Sequence, residues 1–434
     1  MPDPKSPDFR KLTDQLALYA QLKREYRAAG IAPVLRDVER ALKAGLRRVQ
    51  ALRPDPRLAR AEPNGIEAIR ALRPSGPRRM WKQMDREAYA DRIAGAFLAR
   101  CAGCTLGAPV EAWQIARMAD LARETGLPFP PTDYWTRVPD PFHVRYGVSP
   151  REDYTRGKMN GVPVDDDVAY TLLGLLVVEE YGPQFTIAQN GRAWLKHLPM
   201  ACTAEHVALE NLKKGIPAEK AGARGNPYCE WIGADIRSDP WGYMAPGWPE
   251  FAADMAWRDA YLSHRRNGIF GEMYFSAAIS AAFAVNDPVE ALEIGLTEIP
   301  RGCSTAKAVR WALKTAPQIR NYKDARAAVD ERFKDYSIAH TLNNACLTIW
   351  GITIGGRDVT RVIGETVAMG LDNDCTAATA GSIVGAVVGR KGVPAHWSRP
   401  FHNTVLSYLK THKKFRIDDL LLRFTRQAER VHRR

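Results

Sequence analysis

Two short acidic clusters could do chemistry, and each directly precedes an apolar stretch with helical spacing. They are Asp165-Asp166-Asp167 in VPVDDDVAYTLLGLL and Asp372-Asn373-Asp374 in GLDNDCTAATAGSIVGAVVG. The helix dipole and N-capping would explain one aspartate at a helix start. Three adjacent carboxylates repel one another, however, and a cation is a natural way to hold them together. Residues two apart do not share a helical face, so Asp372 and Asp374 are expected in the turn before their helix, converging on one ion.

The ligand chemistry of these clusters indicates which metal they would hold. All the proposed ligands are hard carboxylate oxygens, and no histidine adjoins either cluster. This set favours Mg²⁺, Mn²⁺ or Ca²⁺ over Zn²⁺ or copper. Five aspartates could bind one ion, or two ions about 3.5–4 Å apart that activate a water. From spacing alone, a metal-dependent hydrolase and a structural metal site are equally open.

Other candidate metal sites in the sequence are weaker. Asp418-Asp419 also precedes an apolar run, but Lys413, Lys414, Arg416 and Arg423 surround it, so we interpret it as a neutralised helix start without metal. Cys101 and Cys104 form a lone C-x-x-C without a second pair or zinc-ligating histidines. The seven cysteines are odd in number and scattered, which predicts reduced thiols.

The elements that position the clusters are predicted to be helices. Helical spacing dominates from Asp85 onward, and strand signals are few. Gly381, Gly385 and Gly389 recur every four residues behind the second cluster, which predicts close packing of another helix. The stretch 222–250 is rich in Gly, Pro and Trp and is predicted to be an irregular, functional or inserted loop.

The N-terminal part of the chain differs in character from the rest. Residues 12–53 predict two surface helices broken near Gly30 and Pro33, and prolines and glycines interrupt regular structure up to about residue 80. We therefore predict two parts: a basic helical extension with a Pro-rich linker (1–84) and an all-α domain (85–434). No signal peptide or membrane-spanning stretch is recognised, so we expect a cytoplasmic protein without membrane contact.

The net charge of +13 belongs to the ends of the chain. Residues 1–90 hold 20 Lys and Arg against 11 Asp and Glu, residues 411–434 hold 8 against 3, and the intervening part is nearly neutral. No nucleic-acid-binding motif accompanies the basic ends. Nucleic acid is therefore an unlikely partner, although salt-sensitive binding through residues 1–85 remains an alternative.

A third segment adds a family resemblance. Together with the two clusters, DRIAGAFLARCAGCTLGAPVE (91–111) resembles the ADP-ribosylglycohydrolase family, which includes the ADP-ribosyl-acceptor hydrolases and the dinitrogenase reductase-activating glycohydrolases. The three segments occur in the family's order over about residues 88–400. The family's Thr-Asp-Asp-Thr falls on Asp165-Asp166-Asp167-Val168, and its Asp-x-Asp-Thr/Ser falls on Asp372-Asn373-Asp374-Cys375. Its opening helix matches Arg92 to Ala96, and a Gly-Asp-x-x-Gly-like turn ending in an acid matches Gly103 to Glu111.

Three departures from the family pattern indicate a divergent branch. Asp165 replaces threonine but still offers oxygen and adds charge. Cys375 replaces a hydroxyl residue with a soft sulfur, which predicts that one ion is weaker, absent or replaced by Mn²⁺. Cys104 replaces an acid and so removes one carboxylate.

The resemblance implies a compact orthogonal all-α bundle with Mg²⁺ at its centre. It also implies hydrolysis of a glycosidic bond at the anomeric carbon of an ADP-ribosyl or related ribosyl substrate. The implied ligands are Asp165, Asp166, Asp167, Asp372 and Asp374, with Cys375 doubtful. Asp374 or Asp166 would activate the water, and Glu111 would have a catalytic or gating role.

Further substrate contacts are expected from Asp235 and His264, and Trp231, Trp241 and Tyr243 are candidates for stacking on a base or sugar. Two alternatives stay open. One is a hydrolase of a small glycoside or nucleoside-like substrate without ADP-ribose. The other is a catalytically silent binding protein on the same scaffold. The oligomeric state is not predicted.

Overall fold

The computed structural model describes residues 7–433, and the chain divides into two compact units between Ala59 and Arg60. In the first unit, helix α1 spans Phe9–Glu25 and helix α2 spans Ile31–Gln50. The chain turns at Gly30, whose left-handed backbone (φ +80°) suits glycine. Pro33 lies in the first turn of α2, where a missing N–H costs no helical hydrogen bond. The two predicted helices and the break near Gly30 are confirmed.

Residues after the division include two short helices. Helix α3 (Pro56–Ala61) crosses the division, and α4 spans Ile66–Leu72. Ile69 is fully buried, and the buried Glu62 accepts a hydrogen bond from the Ser304 amide at 2.8 Å. The second unit therefore begins well before Asp85, where the sequence alone put the boundary.

The second unit is built from helices and two small antiparallel hairpins, so the predicted all-α class is confirmed. Its remaining helices are α5 (Arg86–Gly107), α6 (Ile115–Thr125), α7 (Asp166–Tyr181), α8 (Ile187–His197), α9 (Thr203–Lys213), α10 (Ala218–Ala221), α11 (Asp239–Met244), α12 (Pro249–Ala260), α13 (Asn267–Ala282), α14 (Pro288–Gly295), α15 (Ser304–Thr315), α16 (Tyr322–Arg332), α17 (Thr341–Gly355), α18 (Val359–Ala368), α19 (Asn373–Val388), α20 (Ala395–Ser398) and α21 (Ile417–His432). The strands are β1 (Val144–Arg145), β2 (Ser149–Pro150), β3 (Thr404–Leu406) and β4 (Lys414–Arg416); β1 pairs with β2, and β3 with β4.

Helices α5 and α19 pack against each other backbone to backbone along their glycines. A Cβ atom on Gly385 would overlap the backbone oxygen of Gly95, and one on Gly381 would lie 2.5 Å from that of Ala99. The close helix packing predicted from the glycine stripe is confirmed. At the end of this contact, a Cβ atom on Gly107 would lie 2.5 Å from the Cα of Asp374. The pairing therefore fixes the start of α19, with its acidic cluster, against the end of α5.

Helix α5 also corrects one prediction. The segment from Gly103 to Gly107, expected as a turn, continues the helix, and a short 3₁₀ turn (Ala108–Val110) follows before Glu111. Close packing on α19 is the reason, because it favours a helix with small residues on one face. Of the described residues, Arg86–Val110 is the one helical stretch long and apolar enough to cross a membrane, but 94% of its apolar part is buried in protein, as in a core helix.

The stretch 222–250 is more ordered than its composition indicates. It contains a 3₁₀ helix (Ile232–Arg237) and α11, and both are largely buried. Trp241 and Tyr243 lie in the core, where the Trp241 indole N–H donates to Glu272 at 2.8 Å. These two aromatic side chains fill the interior, so they are not free to stack on a ligand.

Candidate active site

The first acidic cluster lies at the N-terminus of α7, as predicted. Asp165 is the N-cap residue, and its Oδ1 accepts the backbone N–H of Asp167 at 3.2 Å. Asp166 and Asp167 occupy the first turn, where the positive end of the helix dipole stabilises their charge. Asp167 is fully buried, whereas Asp166 is partly exposed.

The second cluster lies at the N-terminus of α19 and meets the first. Asp372 is the N-cap residue, and Asp374 is in the first turn. The Cys375 thiol donates to Asp167 Oδ2 at 3.2 Å. Ligand atoms of Asp167, Asp374 and Cys375 lie within 4.8 Å of one another, so the two helix starts form one acidic centre.

Two further groups extend this acidic centre. Ligand atoms of Glu111, Asp372 and Asp374 lie within 4.8 Å of one another, which brings the acid at the end of the first motif to the second cluster. Cys104 forms a similar group with Asp165 and Asp167. The C-x-x-C pair had been set aside as a metal motif, and its spacing gave no sign that Cys104 faces the aspartates.

Sequence reasoning missed Arg145 and Tyr146, which enter the acidic centre from the β1–β2 hairpin. The Arg145 guanidinium donates to Glu111 Oε2 at 2.9 Å, to Asp165 Oδ2 at 3.0 Å and to Asp374 Oδ2 at 3.2 Å. The Tyr146 hydroxyl donates to Asp166 Oδ1 at 2.7 Å. These residues belong to no recognisable motif, so no local signal could have identified them.

Three buried carboxylate oxygens in the acidic centre lack a hydrogen-bond donor among the described residues. They are Oδ1 of Asp167, of Asp372 and of Asp374. Arg100 Nη2 lies 3.6 Å from Asp167 Oδ1, but its guanidinium is closer to Asp239, at 2.6 Å. A buried ionised carboxylate without a donor costs free energy in the folded state. Hard oxygens at this spacing are the ligands that a divalent cation requires. The residues present therefore fit Mg²⁺ or Mn²⁺.

Protonation in the metal-free centre follows from burial and crowding. Burial, and then the Asp165 charge, raise the pKa of Asp166 and of Asp167 well above the usual value. Burial and then Glu111 act in the same direction on Asp374, and they raise the pKa of Asp372 to about 6. Burial and neighbouring carboxylates also raise the pKa of the Cys375 thiol, which keeps it neutral. A bound cation would favour the ionised carboxylates.

A cavity of about 330 Å³ opens beside the acidic centre. Glu111, Asp166, Asp372 and Asp374 line it on the acidic side, and Trp231, Ile236 and Ile338 contribute apolar surface. This volume is at the lower end of the range for small-molecule sites. The combination suits a ligand with polar hydroxyl groups at one part and a flat apolar ring at another.

Asp235 and His264, expected to contact substrate, are buried, and neither is among the described residues that line this cavity. Asp235 Oδ2 accepts the Thr341 hydroxyl, while its Oδ1 has no donor among the described residues. His264 Nδ1 pairs with the Ser263 hydroxyl at 2.8 Å, and burial lowers its pKa well below the usual value, so the ring is neutral. Of the three aromatic candidates, Trp231 reaches the cavity.

The weaker candidate cluster, Asp418-Asp419, has a different environment from the acidic centre. Asp418 is exposed and pairs with Arg416, and Arg423 lies 3.6 Å from Asp419. The start of α21 is a neutralised helix start, as predicted.

Two comparisons with known proteins indicate the family and the fold of this chain. The family model described as ADP-ribosylglycohydrolase matches residues 85–430. Among solved structures, one described as an ADP-ribosylglycohydrolase-related protein complex superposes with a TM-score of 0.51 at 18% identity, covering 80% of this chain and 99% of that chain. At this identity the likeness shows the fold alone. No curated protein matches the chain.

Proposed function

Because the chain belongs to the ADP-ribosylglycohydrolase family, we propose that it is a divalent-metal-dependent glycohydrolase that cleaves the anomeric bond of an ADP-ribosyl or related ribosyl substrate. One observation gives this proposal its strongest support. The buried Oδ1 atoms of Asp167 and Asp374 have no hydrogen-bond donor among the described residues, and Asp374 lines a ligand-sized cavity. Family membership supports the glycohydrolase class, and the acidic centre supports a requirement for a cation.

We assign the cation to Asp372 and Asp374, with Asp167 close by, and Mg²⁺ or Mn²⁺ as the ion. A cation held there would bind ribose hydroxyl groups, and it would polarise their oxygens and orient the ribose for attack. The carboxylates of Asp372 and Asp374 would hold the cation from one helix start, which α5 fixes through Gly107. Orientation of the ribose is therefore linked to the α5–α19 packing.

Asp166 is the residue that we propose as the general base. It lines the cavity, and the Tyr146 hydroxyl fixes its carboxylate through Oδ1. Burial and the Asp165 charge raise the pKa of Asp166, which makes its carboxylate a stronger base. It accepts a proton from the attacking water, and the water oxygen bonds to the anomeric carbon. The leaving group departs with the bonding electrons and takes up a proton from solvent, and Asp166 returns its own proton to solvent.

Two other cavity residues are assigned to the substrate. Glu111 lies at the exposed side of the acidic centre, and we propose that it contacts the substrate there. Trp231 offers an apolar face for the base of an ADP-ribosyl group. A cytoplasmic location and a small-molecule or protein-linked ribosyl substrate complete the proposal.

The test is hydrolysis of ADP-ribosyl-arginine, ADP-ribosyl-serine, O-acetyl-ADP-ribose and simple ribosides, each with Mg²⁺, with Mn²⁺ and with chelator. We expect release of ADP-ribose that chelator abolishes. Asp374→Asn should lose activity by at least about 100-fold through loss of a metal ligand, whereas Asp419→Asn, at the exposed start of α21, should keep it.

The other outcomes identify the alternatives. Turnover of simple ribosides without any diphosphate-containing substrate would replace the proposal with a small-glycoside hydrolase. Metal binding without any turnover would favour a silent binding protein on this scaffold.

A further inference from the structure

Arg145 lies where carboxylates from three separate elements converge. Its guanidinium contacts Glu111 after α5, Asp165 at the start of α7 and Asp374 in the first turn of α19, all within 2.9 to 3.2 Å. The side chain is 10% exposed. One buried positive charge thus joins the acidic residues of all three motifs, which is the role a bridging cation would have.

The protein holds this guanidinium firmly in place. Nη1 also donates to the Ala108 carbonyl at 2.9 Å, and the rings of Tyr146 and Tyr154 lie 5.3 Å and 5.8 Å from its carbon Cζ. Aromatic faces attract a cation, and an arginine fork loses little freedom on pairing with carboxylates. Arg145 is therefore a fixed charge of the acidic centre.

Asp165 and Asp374 differ in how many of their carboxylate oxygens accept N–H donors. Both oxygens of Asp165 already accept N–H donors, Oδ2 from Arg145 and Oδ1 from the Asp167 amide. Asp374 accepts from Arg145 through Oδ2, and within residues 7–433 its Oδ1 has no donor, nor does Oδ1 of the buried Asp167. Asp165, counted as a metal ligand from the sequence, thus has the contacts of a counter-ion.

We propose that Arg145 fills one cation position of the acidic centre, with Asp165 as its counter-ion, so that the chain holds one divalent ion fewer than the same carboxylates would without it. The inference rests on the proposed function, because the remaining ion is the one assigned to Asp372 and Asp374. In this chain, the Arg145 guanidinium thus provides the positive charge that a second metal ion would otherwise provide.

The experiment counts Mn²⁺ per chain by equilibrium dialysis in wild type, Arg145→Met, Arg145→Lys and Arg156→Met. Arg156 belongs to the same segment but pairs with Asp133, so it is the matched control. We expect Arg145→Met to bind about one Mn²⁺ more than wild type, while Arg145→Lys and Arg156→Met match wild type. The two ions of Arg145→Met, about 3.5–4 Å apart, should show spin coupling in electron paramagnetic resonance.

Equal counts in Arg145→Met and wild type would overturn the inference, as would a gain shared by Arg145→Lys or Arg156→Met. Circular dichroism establishes that each variant is folded, and Arg145→Gln replaces Arg145→Met if the latter is not. The wild-type count tests the proposed function separately. Wild type without bound Mn²⁺ would contradict a cation-dependent hydrolase. The difference in Mn²⁺ count between Arg145→Met and wild type tests the role of Arg145.

Discussion

At the scale of single residues, Cys375 decides how well the acidic centre accepts a hard ion. Its thiol donates to Asp167 Oδ2, and burial with the surrounding carboxylates raises its pKa, so the sulfur stays protonated. A neutral thiol is a poor ligand for Mg²⁺, whereas a hydroxyl oxygen is a suitable one. The Cys375 side chain thus lies against a proposed metal ligand without offering the oxygen that Mg²⁺ prefers.

Replacing this sulfur by oxygen should therefore strengthen Mg²⁺ binding. We expect Cys375→Ser to lower the Kd for Mg²⁺ about ten-fold, or about 1.4 kcal/mol, with a smaller effect on Mn²⁺. Calorimetric titration measures both. Cys346→Ser is the control, because Cys346 is equally buried but faces the Ala308 carbonyl. An unchanged Mg²⁺ affinity in Cys375→Ser would show that residue 375 does not reach the ion.

Trp231 provides a second residue-scale prediction, this time on substrate binding. It lines the cavity and packs edge-on against Tyr228, with ring centroids 4.8 Å apart. Stacking on a base contributes about 1–3 kcal/mol, so Trp231→Ala should raise KM for an ADP-ribosyl substrate about ten-fold and leave kcat nearly unchanged. Steady-state kinetics measure both constants. The control is Trp248→Ala, since Trp248 packs on Phe251. A loss of kcat with normal KM would contradict a stacking role.

Residues differ in how far the sequence reveals them. Asp166, Asp167, Asp372 and Asp374 could be identified because each cluster begins a helix, which is a local pattern. Arg145 could not, because its three partners lie 20 or more residues away and its hairpin has no periodic signal. A charged residue that reaches a site through tertiary contacts has no characteristic pattern in the sequence around it.

At the scale of elements, the α5–α19 pair determines the geometry of the acidic centre. The glycine stripe of α19 predicted a close neighbour, but the stripe alone did not say which helix. The partner is α5, which has its own glycines at the contact, including Gly95 and Gly103. The turn expected at Gly103 is instead part of α5. Glycine is a poor helix former by propensity, and the packing of α5 on α19 outweighs that preference.

Gly385→Ala tests this contact. Alanine has the better helix propensity by about 1 kcal/mol, but its Cβ would overlap the backbone of Gly95, which cannot rotate away as a side chain can. We expect net destabilisation of about 1–3 kcal/mol, measured by denaturant unfolding. Gly302→Ala is the control, because its Cβ would meet a single atom, of Ala61, at an ordinary 3.8 Å. A Gly385→Ala variant as stable as wild type would show that the helices can separate without cost.

At the scale of the whole molecule, charge is distributed unevenly. The excess of lysine and arginine lies toward the ends of the chain, whereas the acidic centre concentrates carboxylates in the interior of the second unit. Arg145 and Arg100 are the cations in contact with this centre among the described residues. The proposed cation would offset repulsion among these carboxylates, so we expect stability, pH and metal binding to be linked.

The raised pKa of Asp372 determines whether stability rises or falls with pH. Burial and Glu111 raise the pKa of Asp372 from 3.8 to about 6, so the folded state disfavours its ionised form. A carboxyl group with a raised folded pKa contributes stability below its unfolded pKa, and that contribution is lost as pH rises through the folded pKa. In chelator, the protein should be less stable at pH 8 than at pH 5. Asp372 alone accounts for at most roughly 3 kcal/mol over the whole pH range, of which roughly 1.4 kcal/mol falls between pH 5 and pH 8.

Thermal unfolding at pH 5 and pH 8, with chelator and with Mg²⁺, measures the effect. We expect the melting temperature in chelator to fall by a few degrees between pH 5 and pH 8. Mg²⁺ at about 100 times its Kd should restore about 2.7 kcal/mol at pH 8 and much less at pH 5, where protons compete for the carboxylates. Asp372→Asn should narrow the pH difference in chelator, because an amide does not ionise. A metal-free protein that is more stable at pH 8 than at pH 5, with no response to Mg²⁺, would mean that Arg145 and Arg100 already balance the buried carboxylates.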